Sequence, residues 1–178
     1  QGMGYYIGSN RVRSGFVFTH LDEGTKAFNV VLITEDHRTL PFTFFIPVPG
    51  LKTDHSRVDW DNLYQKDEMV SLDEAGLRKA LESLPCCVTN KNGKEYGDPL
   101  NLVIIGDLDD VYHALIRAGW DETETIYRAS LLKTVRSFLF GGRYRYSPVS
   151  ALYVFGRPQD VAFQRARTSI HERNHLRL

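Results

Sequence analysis

The sequence predicts a single α+β or α/β domain over residues 1–178, with a mixed β-sheet and three to four helices. The prediction depends on the alternation, along the chain, of β-rich runs with runs of helical spacing. At 178 residues, 42% of them hydrophobic, the chain is long enough to bury a core. No apolar run reaches the ~18 residues that a membrane-spanning helix needs. Gln1-Gly2 ahead of Met3 resembles the remnant of a protease site, so residues 1–3 are expected to include the native start.

The first half of the chain predicts a β-hairpin and then a helix. The runs Ala27–Ile33 and Leu40–Val48 are rich in β-formers and flank a short polar segment, which is typical of a hairpin. The segment Ser71–Glu74 fits a capping box, in which the Ser hydroxyl and Glu carboxylate satisfy backbone N–H groups at a helix start. Pro85 is expected to end that helix.

A strand–turn–helix unit is predicted next. The continuous apolar run Leu100–Ile105 is typical of a central strand buried on both faces. A helix from about residue 108 to 118 follows. Asp107, Asp109 and Asp110 at its start are interpreted as an N-cap and first-turn acids placed against the helix dipole. A Mg²⁺ site is the alternative for these acids.

The last third of the chain predicts two more helices and two strands. Apolar residues at helical spacing predict a helix from about residue 126 to 140, and Ala151–Phe155 predicts a second central strand. Pro158, followed by apolar residues at 162, 163, 166 and 170, indicates another helix. Asn174–Leu178 alternates polar and apolar residues, which is typical of a strand.

The two cysteines, Cys86 and Cys87, are adjacent. Neighbouring cysteines can close only a strained eight-membered disulfide ring, so the prediction is two reduced, part-buried structural thiols. A vicinal disulfide or a soft-metal site is the alternative.

Charge is balanced over the chain but unevenly distributed. From Arg128 onward there are ten Lys or Arg residues and two acids, whereas residues 54–74 contain seven acids. The two regions could pair with each other as the chain folds. The alternative is a basic C-terminal half that faces phosphate groups on a lipid or metabolite. No nucleic-acid-binding motif is recognisable, so nucleic acid is not an expected partner.

The segment FGRPQDVAFQRARTSIHERNHLRL, residues 155–178, resembles the signature of the LssY C-terminal domain family. The upstream PLNLVIIGD, residues 99–107, and Ala118-Gly119-Trp120 fit the same pattern. The resemblance implies a bacterial, membrane-associated full-length protein, because such domains accompany phosphatidic-acid-phosphatase-like or DedA-like membrane regions. It also implies a connection to lipid or phosphate chemistry and a membrane-embedded partner region. It implies no established activity, so whether the domain is an enzyme stays open.

The same segment contains an H-E-x-x-H string, with His171, Glu172 and His175 as alternative zinc ligands. A zinc hydrolase of this kind needs both histidines on one face of a helix. On a strand the two histidines would share a face but lie ~13 Å apart, at ~3.3 Å per residue. The prediction is therefore no metal cofactor, with a zinc-dependent hydrolase as the alternative.

The cationic residues of the tail form the preferred candidate site. Arginine guanidinium groups bind phosphate or carboxylate through two parallel hydrogen bonds. The hypothesis is an accessory or regulatory domain that binds an anionic ligand here, although the arginines could instead pair with acids and stabilise the fold. Residues 172–175 are predicted to converge with the segment 157–167. The candidate ligand-binding residues are Arg157, Gln159, Arg165, Arg167, Glu172, Arg173, Asn174, His175 and Arg177.

Overall fold

The computed structural model describes residues 6–19, 22–140, 146–166 and 172–178. These residues contain three α-helices and nine β-strands, which confirms the α+β class. The helices are α1 (Glu74–Glu82), α2 (Leu108–Arg117) and α3 (Arg128–Phe140). The strands are β1 (Gly24–Ile33), β2 (Thr39–Val48), β3 (Cys87–Thr89), β4 (Tyr96–Pro99), β5 (Asp121–Glu122), β6 (Tyr153–Val154), β7 (Arg157–Pro158), β8 (Ala162–Ala166) and β9 (Arg173–Arg177).

The strands form three antiparallel sheets within the described residues. β1 pairs with β2, the second sheet has the order β4-β3-β6-β7, and the third has the order β5-β8-β9. In the third sheet β8 is the central strand and β9 lies at the edge. None of the helices that the structure describes is both long and apolar enough to cross a membrane.

The predicted hairpin is confirmed. β1 and β2 pair over ten residues each, from Gly24 opposite Val48 to Ile33 opposite Thr39. Near the base of the hairpin, Ala27 and Phe45 pack against the hydrophobic core.

The helices begin close to the predicted positions. At α1 the N-cap is Asp73 and not Ser71, because the Asp73 carboxylate accepts a hydrogen bond of 2.8 Å from the Gly76 N–H. The predicted start was therefore two residues early. α2 and α3 lie where helical spacing placed them.

Both predicted central strands need correction. Leu100–Ile105 forms no strand, and five of its six residues are apolar and exposed. Only the Leu100 N–H continues the neighbouring pairing, donating to the Cys86 carbonyl at 2.9 Å. The second predicted strand, Ala151–Phe155, is limited to Tyr153–Val154, because the chain turns back at Phe155 (φ 52°) and Gly156 (φ 77°).

The predicted helix after Pro158 is also wrong. The chain forms β7 and β8 instead, and Val161 to Gln164 are four consecutive buried residues. Successive residues of a strand point to opposite faces of the sheet, so the burial of both Ala162 and Phe163 shows that both faces of β8 are covered and that its apolar side chains need not alternate. That near-continuous apolar run imitated helical spacing.

The prediction of reduced thiols at Cys86 and Cys87 is contradicted by a vicinal disulfide between them. The chain leaves α1 at Glu82 and enters β3 at Cys87, so Cys86 lies in the bend between the two elements and Cys87 is the first residue of the strand. The bend brings together side chains that a regular strand would direct to opposite faces.

The buried core is small and unusually polar. Its apolar centre is Ile116, Val161 and Phe163, against which Trp120 and Leu176 pack. Eight polar residues are equally buried: Thr53, Glu122, Thr123, Glu124, Thr125, Ser130, Ser147 and Gln164. Because buried polar groups need hydrogen-bond partners, this part of the core is held by specific polar contacts.

Candidate functional site

Some of the predicted site residues come together beside the edge strand β9. A cavity of about 620 Å³, called here the tail pocket, lies between β9, the segment 98–102 and Trp120. Four of the predicted ligand-binding residues line it: Arg173, Asn174, His175 and Arg177. Asp98 and Asn101 lie on the facing wall.

Arg173 is a half-buried cation with a neutral partner. Its Nη1 donates a hydrogen bond of 3.0 Å to Gln164 Oε1 on the neighbouring strand β8. No carboxylate among the described residues forms an ion pair with it. Burial lowers the pKa of Arg173, since the protein withdraws water from the charge without supplying an opposite charge.

Arg177 is neutralised in part. Its Nη1 forms an ion pair with Asp98 Oδ2, while its Nε is buried without a hydrogen-bond partner among the described residues. Its side chain is 18% exposed and that of Asp98 is 61% exposed. The aspartate is therefore on the solvent side of the pair, and part of the guanidinium remains unsatisfied.

His175 lies between these two arginines on the strand. Burial lowers the pKa of His175, and the positive charges of Arg173 and Arg177 lower it further, against a smaller opposite effect of Asp98. The neighbours thus disfavour a further positive charge. A negative charge at the same place would be favoured, so the tail pocket is electropositive.

The other predicted residues do not line the tail pocket. Arg157 pairs with Asp160 at 2.6 Å, and Gln159 Oε1 accepts the Leu152 N–H at 2.7 Å, so both stabilise the fold locally. Arg165 is exposed on β8, and Glu172 is exposed just before β9. Arg167 lies outside the described residues.

Residues 173–175 meet the segment 157–167 through strand pairing. Gln164 lies opposite His175, Arg165 opposite Asn174, and Ala166 opposite Arg173. The proposed zinc ligand His171 lies outside the described residues. From Arg173 onward the chain is extended, so the helical turn that an H-E-x-x-H zinc site needs is not formed there. The described residues contain no group of three or more potential metal ligands placed to hold an ion.

A second polar centre, around Glu122 on β5, was not predicted from the sequence. Glu122 Oε2 accepts the Thr25 N–H at 2.7 Å, and Oε1 accepts the Tyr112 hydroxyl. Thr25 Oγ1 and the Tyr112 hydroxyl oxygen are 2.8 Å apart. Burial and the adjacent Glu122 carboxylate raise the pKa of Tyr112, so the phenol remains a donor. The network joins the hairpin, α2 and β5.

A cavity of about 790 Å³ opens over this network. His55 lies at its wall, with Nε2 3.8 Å from Glu122 Oε1 and a buried Nδ1 that has no partner among the described residues. Burial lowers the pKa of His55, partly offset by Glu122 and Asp54. The predicted N-cap Asp107 lines the same cavity, and its side chain makes no capping hydrogen bond.

A third buried group is Glu124, two residues further along the chain. Its Oε1 accepts the Tyr127 hydroxyl at 2.9 Å and lies 3.4 Å from Lys133 Nζ, while Oε2 is buried without a partner among the described residues. In the sequence the signal for both carboxylates was the DETET run at residues 121–125. Its polarity is typical of an exposed loop, whereas Glu122 to Thr125 are all buried in the structure.

Comparison with known proteins identifies the family of the region that holds the tail pocket. The family model described as LssY C-terminus matches residues 78–178. The chain belongs to the LssY C-terminus family. No curated protein and no solved structure matches it significantly. The LssY C-terminus match begins within α1 and includes all residues of the tail pocket, whereas the β1–β2 hairpin precedes it.

Proposed function

We propose that this domain binds an anionic, phosphate-bearing ligand in the tail pocket and serves as an accessory or regulatory module of a membrane-associated system. The observation that carries the proposal is Arg173, a half-buried guanidinium whose only hydrogen-bond partner within the described residues is the neutral Gln164. Burying a charge is costly unless it is paired. A bound anion would supply the missing counter-charge.

The rest of the pocket supports the same ligand. Arg177 Nε has no hydrogen-bond partner in the part of the chain that the structure describes, and His175 and the amides of Asn101 and Asn174 add further polar groups along the walls. A volume of about 620 Å³ lies within the ~300–1,000 Å³ of typical small-molecule sites. A phosphate with a small organic group would have room there, and arginine is well suited to bind it through two hydrogen bonds.

The membrane setting is supported by what the family resemblance implies. A phosphate group could reach the pocket as a free phosphate ester or as an anionic lipid headgroup. The shared chemistry is a phosphate monoester, and the two sources are separated by experiment. The alternative of a zinc-dependent hydrolase has less support, because the residues around His175 are extended.

The test is isothermal titration calorimetry with sulfate and glycerol phosphate, using the wild-type protein and Arg173→Gln. Hydrogen bonds to charged groups contribute ~1.5–3 kcal/mol, so the substitution should weaken binding by roughly 10- to 150-fold. Arg165→Gln is the matched control, since Arg165 is an exposed arginine on the adjacent strand that does not line the pocket. Equal weakening by both substitutions, or no binding by the wild type, would refute the proposal.

Flotation with vesicles identifies the source of the phosphate. Binding to phosphatidic-acid vesicles but not to phosphatidylcholine vesicles, abolished in Arg173→Gln, would indicate a lipid headgroup. Binding of glycerol phosphate without vesicle binding would indicate a free metabolite.

A further inference from the structure

Strand β1 has an open edge, since no strand among the described residues pairs with it on the side away from β2. The Thr34 N–H donates to the Arg38 carbonyl at 2.9 Å, which sets the alternation of the hairpin. Even-numbered residues of β1 therefore direct their backbone groups toward β2, and odd-numbered ones direct them away. The Thr25 N–H confirms this alternation, because it bonds outward to Glu122 at 2.7 Å. Asn29, Val31 and Ile33 accordingly present backbone N–H and C=O groups to the open edge.

The edge of β2 is protected, and that of β1 is not. By the same alternation the odd-numbered residues of β2 face outward, and two of them are Pro41 and Pro47. Proline has no N–H, and its presence on an edge blocks pairing with a further strand. β1 contains no proline. A third strand is therefore favoured beside β1 over β2.

The side chains around this edge are apolar and exposed. Val31 is 54% exposed and Ile33 is 70% exposed, and neighbours on both strands are exposed to a similar degree. These neighbours lie together on the face of the hairpin opposite to Val31 and Ile33, and they are Val30, Leu32, Leu40, Phe42, Phe44 and Ile46. A two-stranded ribbon is marginally stable in water, and a contiguous apolar surface of this kind marks an interaction site.

The occupant that fits best is a second copy of this chain. Residues 27–33 contain no charged side chain, so an antiparallel copy of β1 meets no like-charge repulsion. A twofold axis at Val31 places Val31 opposite its own copy and Asn29 opposite Ile33 of that copy. The hairpin turn, residues 34–38, carries Glu35, Asp36 and Arg38, a composition unsuited to entering a bilayer.

We propose that two copies of this chain pair antiparallel through β1 about Val31, which joins their hairpins into one four-stranded sheet. Each copy then satisfies the outward backbone groups of the other, Val31 packs against Val31 of the other copy, and Val30 packs against Leu32 of the other copy on the opposite face. The hairpin lies outside residues 78–178, so the pairing is independent of the anion site.

Sedimentation velocity over a concentration series tests the pairing. The wild type is expected to form a dimer, and Val31→Pro is expected to be monomeric. The Val31 N–H faces away from β2, so proline removes the outward hydrogen bond and leaves the β1–β2 bonds in place. Val31→Thr keeps the N–H and the branched side chain and should remain a dimer. A wild-type monomer at ~100 μM would overturn the proposal and leave the edge to a different protein.

Cross-linking provides a test that does not depend on how well the proline variant folds. In the proposed pairing the two copies of residue 31 have Cα atoms ~5.5 Å apart, which a disulfide can bridge. Val31→Cys should form a covalent dimer under mild oxidation. Asn29→Cys should not, because its copies would be separated by four residue positions, or ~13 Å. Equal cross-linking of both variants would refute the register and with it the proposed pairing.

Discussion

Replacing Glu122 by alanine is predicted to destabilise the fold more than any surface substitution. Glu122 is 5% exposed, and it accepts hydrogen bonds from the Thr25 N–H and the Tyr112 hydroxyl. The first bond fixes the base of the hairpin to β5, and the second fixes α2 to β5. Glu122→Ala therefore loosens three elements at once.

The magnitude follows from the donors that lose their acceptor. The Thr25 N–H loses its partner completely, whereas the Tyr112 hydroxyl retains Thr25 Oγ1 at 2.8 Å. A buried donor left unsatisfied costs ~1–3 kcal/mol. Part of this is offset, because removing the carboxylate also removes the cost of burying its charge. We expect the free energy of unfolding to fall by about 2–3 kcal/mol.

The assay is urea unfolding, monitored by far-UV circular dichroism. The same assay is applied to Tyr112→Phe and to the double variant, which completes a double-mutant cycle. The coupling between the two substitutions should be about 1–2 kcal/mol, as expected for residues that share a hydrogen bond. Glu82→Ala, at an exposed position of α1, should change stability by less than ~0.5 kcal/mol. A Glu122→Ala variant as stable as that control would refute the assigned role of the network.

Three further predictions concern single side chains. Phe163→Ala should lower the free energy of unfolding by ~3–5 kcal/mol in the same urea assay, since Phe163 is fully buried in the hydrophobic core, and a loss below ~1 kcal/mol would contradict that placement. Ser130→Ala should lower the free energy of unfolding by ~1–2 kcal/mol, because the buried hydroxyl donates to the Thr125 carbonyl and accepts from the Tyr127 N–H, both at 2.9 Å. An unchanged stability would contradict those hydrogen bonds. The pKa of His175 is lower in the folded state than its usual value of ~6.5 in an unfolded chain, so the unfolded state binds more protons and the free energy of unfolding should fall as the pH drops below that value. His175→Gln should reduce this loss of stability between about pH 7 and pH 5, and a variant with the pH dependence of the wild type would contradict the lowered pKa.

The parts of the fold that the sequence predicted are those set by local rules. The β1–β2 hairpin follows from two β-rich runs and a polar turn, and α2 and α3 follow from helical spacing. The strand character of the tail followed from its alternation, and it correctly placed β9. For these elements composition and spacing within the segment were sufficient, although Leu131, Leu132 and Val135, which gave α3 its helical spacing, are exposed.

The errors arise where tertiary context overrides local pattern. β8 is covered on both faces, so its apolar residues lost the alternation of a strand and imitated a helix. Leu100–Ile105 has the composition of a buried strand, but no strand among the described residues pairs with it. A short apolar run does not by itself identify its partner.

The candidate site was predicted only in part, because its local pattern is visible in the sequence and its tertiary contacts are not. Arg173, His175 and Arg177 alternate along one strand, so their common location could be inferred from the sequence. Arg157 lies within the same signature, but its contact with Asp160 depends on the turn into β7. Glu122 was missed because a buried acid is recognisable only from its donors, and Thr25 is 97 residues away in the sequence.

The central claim, that an anion binds in the tail pocket, is tested most directly by the pKa of the His175 imidazole. This pKa is measured by NMR with and without sulfate, and the His175 resonance is assigned by its absence in His175→Gln. Without the anion, burial and the charges of Arg173 and Arg177 hold this pKa below its usual value. Sulfate keeps its charge between pH 5 and pH 8, so any change reports binding and not titration of the ligand. Binding in the tail pocket predicts that saturating sulfate raises the His175 pKa and that sulfate binds more tightly as the pH falls. A His175 pKa that stays the same at saturating sulfate would contradict the proposal that the anion binds in the tail pocket.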